Sequence, residues 1–206
     1  MQKVVGKTTA IQSRGRGRPR SDEAHQNILH AAYELLMEVG YAQLTIEGVA
    51  ARAGVGKPTI YRRWSSKARL VMDAFLAAVN PELSFPDTGS VKEDIKQQMH
   101  KLVKIMNTPR GQVIATLIGG GQTDPEIISA FRANWLSPRR LDCSQVIQKG
   151  IERGELRSDI DIEAVIDALY SPLFYRLLLK HAPLTEDFVD ELINIVMPGL
   201  NGYAKL

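Results

Sequence analysis

One short segment of the chain concentrates side chains that can bind a polyanion and also donate hydrogen bonds to base edges. Its members are Lys57, Thr59, Tyr61, Arg62 and Trp64. Ammonium and guanidinium groups neutralise phosphates, whereas hydroxyl and amine groups also reach base edges in the major groove. If one element presents these side chains together, their chemistry is that of double-stranded DNA recognition.

Residues 44–67 predict the element that would present them, two short helices joined by a tight turn. Thr45 is a suitable N-cap, and the apolar residues after it recur at steps of three and four. Gly54-Val55-Gly56 predicts the turn, because glycine adopts left-handed backbone angles at little cost. The second helix begins at about Lys57, with Pro58 in its first turn. The alternative is an ordinary helical hairpin whose exposed helix happens to be basic.

The residue types in this segment are more specific than the spacing alone. From Thr45 to Leu70 the chain reads Thr-Ile-x-x-Val-Ala-x-x-Ala-Gly-Val-x-Lys-x-Thr-Ile-Tyr-x-x-Trp-x-Ser-Lys-x-x-Leu. This motif resembles the signature of the tetracycline-repressor (TetR) family of bacterial transcriptional regulators, and the resemblance covers about residues 21–79. Two residues depart from the family's pattern. Gly56 removes a side-chain cap that Ser or Thr often provides, and Trp64 replaces the commoner Phe or Tyr.

The resemblance implies which side chains bind DNA. Those expected near base edges are Lys57, Pro58 and Thr59, and those expected on phosphates are Tyr61, Trp64 and Lys67. Thr45 and Arg62 complete the expected interface, and the outer helix is expected to leave Trp64 largely exposed.

The N-terminal segment adds a second expected contact with DNA. Residues 1–20 show almost no apolar periodicity and predict a disordered basic arm. Its core resembles an AT-hook, in which Arg16 and Arg18 would enter a narrow A·T-rich minor groove. The alternative is a basic tail that binds phosphates without sequence preference.

The charge distribution agrees with a DNA-binding end. Residues 1–70 contain 12 Lys/Arg and 5 Asp/Glu, a net charge of +7, whereas residues 71–206 contain 14 and 18, a net charge of −4. The charge of residues 1–70 therefore favours binding to a polyanion such as DNA, whereas that of residues 71–206 does not.

The periodicity predicts an all-α protein of two domains. A helix capped by Ser21 and ended by Gly40 would complete a three-helix domain over residues 21–67, with His25 and His30 on its surface. A helix at 66–79 would connect this domain to an effector-binding and dimerisation domain over residues 80–206. The helices predicted there span about 91–107, 112–118, 125–151 with a kink at Pro138 and a fraying end at Gly150 and Gly154, 161–181, and 185–203.

The second domain offers a candidate cavity and a candidate interface. Inward-facing aromatic and methionine residues often enclose an apolar cavity, although they are more often plain core. The expected pocket residues are Met99, Gln112, Thr116, Phe131, Arg132, Trp135, Tyr170, Phe174 and Tyr175. The last two helices have wide apolar faces, which the resembled family uses for dimerisation. The expected interface residues are Leu169, Leu173, Val189, Leu192, Ile193 and Val196.

The sequence argues against other classes of protein. It contains no Gly-rich cofactor loop, no metal-ligand spacing and no nucleophile–base pattern, so we expect no enzyme, no cofactor and no metal. The single Cys143 excludes an internal disulfide and fits a reducing cytoplasm, where a regulator would lie at the bacterial nucleoid. The sequence contains no run of about 18 apolar residues, which a membrane-spanning helix would require.

The expected function is therefore that of a homodimeric transcriptional regulator. The resemblance implies a repressor that binds a palindromic operator, with half-sites roughly 34–36 Å apart, and is released by a small apolar or amphipathic effector. One alternative is an architectural DNA-binding protein without an effector, and another is an enzyme with a DNA tether.

Overall fold

The computed structural model describes the backbone of residues 18–201 and the side chains of residues 22–201. The helices are α1 (Arg18–Gln43), α2 (Ile46–Ala53), α3 (Lys57–Tyr61), α4 (Lys67–Val79), α5 (Val91–Met106), α6 (Pro109–Gly120), α7 (Pro125–Phe131), α8 (Ser137–Arg153), α9 (Ile162–Leu179) and α10 (Glu186–Val196). Short 3₁₀ segments follow α4 at Asn80–Glu82 and α10 at Met197–Leu200. The described part contains no strand beyond an isolated bridge between Leu156 and Asn201, so the all-α prediction is confirmed.

Helix α1 differs at both ends from its predicted limits. It begins at Arg18 rather than after a cap at Ser21, so the last three residues assigned to the disordered arm are helical. At Gly40, the predicted end, the backbone leaves helical geometry with φ 75° and ψ 170°, but after this kink one further helical turn continues to Gln43.

Helix α4 is the central element of the molecule. Ser66 caps it by accepting a hydrogen bond from the Arg69 N–H at 3.3 Å. One side of α4 packs against α1, and another packs against α7 and the segment that follows α7. Leu70 and Phe75 are fully buried between these neighbours. The helix therefore belongs to the cores of both halves.

Helices α7 and α8 form the long helix predicted from residue 125, but the irregularity lies before Pro138. Residues Arg132–Leu136 are π-helical, and the Ser137 N–H reaches back to the Arg132 carbonyl. Pro138 sits in the first turn of α8, where its missing N–H is tolerated. The π-helical segment includes Trp135, which is buried against Phe75 with ring centroids 5.5 Å apart.

The end of α8 corrects one prediction and confirms another. Gly154 ends the helix in the left-handed region with φ 76°, as expected of a C-terminal glycine. Gly150 does not mark a frayed end, because it is buried where α8 meets α5. A Cβ atom there would lie only 2.2 Å from Val91 Cγ2, so Gly150 allows the two helices to approach closely.

The remaining predicted helices are present with shifted limits. Helix α6 runs over 109–120 instead of 112–118, because Thr108 caps it and Pro109 occupies its first turn. Helix α9 ends at Leu179, two residues before its predicted limit, and α10 ends at Val196, seven residues before its predicted limit. Among the described residues, no helix is long and apolar enough to cross a membrane.

Candidate nucleic-acid interface and internal cavity

The turn between α2 and α3 fixes how α3 is presented. Helix α2 ends at Gly54, whose φ of 65° and ψ of 34° lie in the left-handed region that glycine favours. Gly56 then precedes α3 with extended backbone and no side-chain cap, as its lack of a hydroxyl predicts. Ile60 is fully buried and Val55 half-buried, so apolar packing holds the inner side of the turn.

The outer side of α3 carries the polar residues that the sequence singles out. The exposed or half-exposed ones are Lys57, Pro58, Thr59, Tyr61 and Arg62. Lys57 Nζ lies 2.9 Å from Glu47 Oε1 in α2, and this hydrogen bond lowers the pKa of the Glu47 carboxyl. Because exposed ion pairs contribute little free energy, Lys57 can exchange this partner for a phosphate or a base at little cost.

Helix α2 is held in place by one cap and one ion pair. The exposed Thr45 accepts a hydrogen bond from the Gly48 N–H at 3.0 Å, which leaves its own O–H to donate to a phosphate. Arg52 donates from both terminal nitrogens to the Glu38 carboxylate of α1, each at 2.7 Å. This two-pronged contact fixes the orientation of α2 on α1.

Trp64 was expected outside, on a phosphate, and this expectation is wrong. Its side chain is only 4% exposed, and its indole N–H donates to Asp73 Oδ2 of α4 at 2.8 Å. Its ring stacks on His25 of α1, with centroids 5.1 Å apart and an interplanar angle of 10°. His25 is accordingly half-buried rather than a surface residue. A large aromatic residue here joins three helices, and its one donor is already used.

Lys67 also makes contacts within the protein. Its ammonium donates to the backbone carbonyls of Tyr41 and Leu44, at 3.0 and 3.1 Å, and lies 4.4 Å from the Tyr41 ring centroid. These carbonyls follow the kink of α1, so Lys67 ties the start of α4 to the end of α1. One of its three N–H groups remains for a phosphate.

The two arginines of the AT-hook-like core fall at the edge of the structure. Arg18 is the first residue of α1, and Arg16 lies outside the described residues.

A small cavity of about 50 Å³ lies in the second half of the molecule. Its apolar walls include Phe85, Leu102, Trp135, Ile166 and Phe174, and its polar lining is formed by Gln98, Arg139, Arg140, Cys143 and Tyr170. The walls come from α5, the π-helical segment, α8, α9 and the loop after α4. The lining, apolar with a few polar groups, is of the kind found in small-molecule sites, whereas the volume is well below the roughly 300–1,000 Å³ of such sites.

Most polar groups in the cavity wall have partners. The Tyr170 hydroxyl donates to Gln98 Oε1 at 2.7 Å, and burial raises the pKa of Tyr170 well above its usual value. Burial also raises the pKa of the Cys143 thiol to about 12. Arg140 is paired with Glu163 and Asp167 of α9.

The cavity contains three of the nine expected pocket residues, namely Trp135, Tyr170 and Phe174. Four others are corrected because their side chains are exposed: Gln112, Thr116, Arg132 and Tyr175. The remaining two, Met99 and Phe131, are buried in the core beside the cavity rather than in its wall. Helical periodicity identifies an inward face, but it does not distinguish core from cavity wall.

Some of the expected dimer residues are corrected in the same way. Four of them, Leu169, Leu173, Val189 and Ile193, are at most 1% exposed within a single chain, so they belong to its core. Leu192 and Val196 are half-buried. The apolar side chains that α9 and α10 leave exposed are Tyr175, Leu178, Leu179 and Ile195.

Several cavity residues were missed by the sequence analysis. No sequence motif distinguishes Phe85, Gln98, Arg139 or Cys143 from the residues around them. A polar residue such as Gln98 on the buried face of α5 was the one available signal. Among residues 22–201, no group of three or more His, Cys, Asp and Glu side chains is placed to hold a metal ion.

Comparison with known proteins agrees with this geometry. The sequence model of a family described as "Bacterial regulatory proteins, tetR family" matches residues 28–74, and that of "Tetracyclin repressor-like, C-terminal domain" matches residues 85–196. The chain is 42% identical over 185 residues to the uncharacterized HTH-type transcriptional regulator YdeS of Bacillus subtilis (strain 168), covering 90% of this chain and 93% of that protein.

Two further proteins are similar to the chain over most of its length. The DNA-binding transcriptional repressor TetR of Mycobacteroides abscessus is 30% identical over 181 residues, covering 86% of this chain and 94% of that protein. The crystal structure of the TetR family transcription regulator SCO0332 superposes with a TM-score of 0.78 at 36% identity, covering 86% of this chain and 98% of the other. The chain is not an enzyme but belongs to the TetR family of helix-turn-helix transcriptional regulators.

Proposed function

We propose that the protein is a homodimeric repressor that reads a palindromic operator through α3 and leaves it when a small molecule occupies the internal cavity. The observation that carries this proposal is the position of α4. Its first turn lies beside the helix-turn-helix, and its C-terminal end reaches Asn80, which is hydrogen-bonded to the cavity residue Arg139. We retain, as part of the proposal, the boundary at about residue 80 between a DNA-binding and an effector domain.

The proposed reading surface is the outer side of α3. Lys57, Pro58 and Thr59 lie near base edges, while Tyr61 and Arg62 lie on phosphates, with Thr45 at the start of α2 beside them. This division is supported by their exposure and by the exposed position of the Lys57–Glu47 pair, which DNA can replace. Thr59→Ala should weaken operator binding and relax sequence preference, by roughly 1–3 kcal/mol. Unchanged affinity and preference in a gel shift would remove Thr59 from the interface.

The proposed dimer surface is the outer side of α9 and α10. Exposed residues of α9 recur at steps of three and four along one face: Ala164, Ala168, Ser171, Tyr175 and Leu178. On α10 the exposed Ile195 and the half-buried Leu192 and Val196 continue this surface. Small residues followed by apolar ones allow close helix packing against a second copy, and monomers rarely leave such a patch uncovered.

The proposed route of the signal runs through contacts between the two halves. In α6, Arg110 donates from Nε to the Tyr33 hydroxyl of α1 at 2.9 Å, and from a terminal nitrogen to Glu82 at 2.7 Å. A shift of α6 or α8 would therefore move α1 and α4, and with them the separation of the two α3 helices in a dimer. A ligand can release DNA only to the extent that it prefers the arrangement that does not fit the operator.

The arm is proposed as an auxiliary contact through Arg16 and Arg18. Deleting residues 1–20 should lower the slope of log affinity against log salt by up to about 0.9 for each phosphate that the arm neutralises. A larger loss of affinity on operators with A·T-rich flanks would indicate entry into the minor groove. Equal losses of affinity on both kinds of flank would reduce the arm to a non-specific tether.

The test of the proposed function is selection of bound duplexes from a random library by the full chain. We expect an inverted repeat with half-site centres about one helical turn apart, and one or more dimers per site in light scattering. A non-palindromic or sequence-independent set of duplexes would favour the architectural alternative. Release of the selected operator by cell extract fractions of low molecular mass would support an effector.

A further inference from the structure

Glu47 is an exposed carboxylate beside the proposed reading surface. It lies in the first turn of α2, and its side chain is 62% exposed. Its Oε1 atom is 2.9 Å from Nζ of Lys57, the first residue of α3. Because Lys57 belongs to the proposed reading surface, the carboxylate that touches its ammonium lies within reach of the same base pair. Phosphates repel a carboxylate, so the favourable partner for Glu47 on DNA is a hydrogen-bond donor on a base edge.

The Lys57–Glu47 pair need not separate when it meets DNA. An ammonium has three N–H donors, so the hydrogen bond to Glu47 leaves two for other acceptors. A carboxylate accepts several hydrogen bonds, so the one from Lys57 leaves capacity for another donor. The hydrogen bond from Lys57 also lowers the pKa of the Glu47 carboxyl, which is therefore ionised at neutral pH and only accepts. The pair thus presents donors next to an acceptor at a defined spacing.

This spacing matches the major-groove edge of a G·C base pair. Along that edge lie the guanine acceptors N7 and O6 and then the N4 amine of cytosine, which is a donor. A base-pair hydrogen bond joins O6 to N4, so these atoms are about 2.9 Å apart, as are Nζ and Oε1 of the protein pair. Lys57 can donate to N7 and O6 while Glu47 accepts from N4. Lysine on guanine and glutamate on cytosine are both recurrent base contacts.

Other base pairs match this arrangement less well. In an A·T pair, a carboxylate on the N6 amine lies beside the adenine acceptor N7, and an ammonium on the thymine O4 lies beside the methyl group. A C·G pair in the same place sets the guanine acceptors against Glu47 and the cytosine amine against Lys57. Repulsive groups placed against the wrong base are a source of specificity.

We propose that Glu47 is a base-reading residue, which accepts a hydrogen bond from cytosine N4 while the paired Lys57 donates to the guanine of the same base pair. This inference rests on the proposed reading surface and names one base pair of its operator. Glu47 has a second effect, because its charge opposes the attraction of this surface for the phosphates of any sequence. It therefore raises the preference for the operator over other DNA.

The first experiment measures base preference with operator duplexes selected by the full chain. One half-site is changed one base pair at a time, and affinity is measured by fluorescence anisotropy. One position should require G·C, with other base pairs binding roughly 5- to 150-fold more weakly. Lys57→Ala and Glu47→Ala should both reduce the preference at that position and at no other. Glu34→Ala is the matched control, because Glu34 is an exposed carboxylate of α1 that pairs with His30. It removes the same charge and should leave every base preference unchanged.

The second experiment assigns the contact to one atom of the DNA. The cytosine at that position is replaced by pyrimidin-2-one, which lacks the N4 amine. This replacement should weaken binding of the wild type and of Glu34→Ala about tenfold, but that of Glu47→Ala only slightly, because the variant has no acceptor for the amine. The effect of the analogue on the duplex itself is common to the three proteins. Circular dichroism verifies that both variants fold.

Three results would overturn the assignment of Glu47. They are equal weakening of all three proteins by the analogue, a base pair other than G·C at the position that Lys57 reads, and a gain of affinity in Glu47→Ala that is equal for all sequences. The last result would leave Glu47 as a surface charge only. Failure of the full chain to select any sequence has a different meaning: it contradicts the proposed reading surface, and the role of Glu47 falls with it.

Discussion

Tyr61 and Trp64 lie one turn apart, yet the structure gives them opposite roles. Tyr61 is 54% exposed at the end of α3, whereas Trp64 is 4% exposed and hydrogen-bonded to Asp73. Residues three apart lie on the same side of a regular helix, but α3 ends at Tyr61. Trp64 follows the helix in a turn, and its side chain therefore meets α1 and α4. Residue type alone does not distinguish a DNA contact from a core residue here.

This contrast predicts different outcomes for two substitutions. Trp64→Ala should destabilise the protein by about 3–5 kcal/mol, because it leaves a cavity among α1, α3 and α4. Tyr61→Ala should change stability by at most about 0.5 kcal/mol, since the side chain is exposed, and should weaken DNA binding. Chemical denaturation and gel shifts on both variants measure the two effects. A Tyr61→Ala protein with unchanged operator affinity would contradict its assignment.

Cys143 should be unreactive in the folded protein. Burial raises the pKa of its thiol to about 12, so almost none is thiolate at pH 8, and the sulfur is also inaccessible. A disulfide reagent should label the native chain very slowly and label it completely in guanidinium chloride. Since the folded pKa exceeds the unfolded value of about 8.5, stability from this group is complete below pH 8.5 and is lost as the pH rises toward about 12. Cys143→Ala should remove that part of the alkaline loss.

At the scale of secondary-structure elements, close packing between helices explains features that the helix propensity of the residues does not explain. Gly150 lies in the interior of α8, where glycine is unfavourable, because α5 approaches so closely that Val91 would contact any Cβ atom. The π-helical segment before Pro138 similarly holds Trp135 in the core and in the cavity wall.

Two glycine substitutions test this account. Gly150→Ala should destabilise the protein by about 1–3 kcal/mol, because Val91 or the helices must move. Gly119→Ala is the control: it lies in α6 with nothing within 4 Å of an added Cβ among the described residues, so it should be neutral or stabilising by up to about 1 kcal/mol. Thermal or urea unfolding gives both values. Equal effects at the two positions would show that the contact with α5 is unimportant.

At the scale of the whole molecule, burial within one chain separates core residues from those that remain exposed for the proposed interface. Leu169 and Ile193 fill the core of each chain, whereas Leu178 and Ile195 are 40% and 75% exposed. A standard interface buries about 1,200–2,000 Å² in total, which requires exposed rather than already buried apolar side chains.

The proposed dimer surface can therefore be tested without unfolding the chain. Leu178→Glu should give folded monomers at micromolar concentration, because two copies would bury unpaired carboxylates, and operator binding should fall with the loss of the dimer. Leu141→Glu is the control, since Leu141 is 58% exposed but lies on α8 rather than on α9 or α10. Light scattering and circular dichroism measure mass and folding. A dimeric Leu178→Glu protein would place the interface elsewhere.

The sequence by itself determined the helix-turn-helix, because its signals are local. Thr45, Gly54, Pro58 and Ser66 act on backbone groups a few residues away, and each does in the structure what its chemistry predicts. The all-α class and the long helices in the second half follow equally from periodicity, since an apolar face recurs wherever a helix packs.

Only the tertiary structure decided which apolar residue is in the core, in the cavity wall or on the surface. Leu169, Phe174 and Leu178 all occur on one amphipathic helix, yet they lie respectively in the core, at the cavity and on the surface. The hydrogen bond from Arg139 to the Asn80 side chain likewise cannot be predicted from the sequence, because the two residues lie 59 positions apart along the chain. The environment of a side chain depends on which helices pack against it. A periodic pattern in the sequence shows only that a helix has a face that packs.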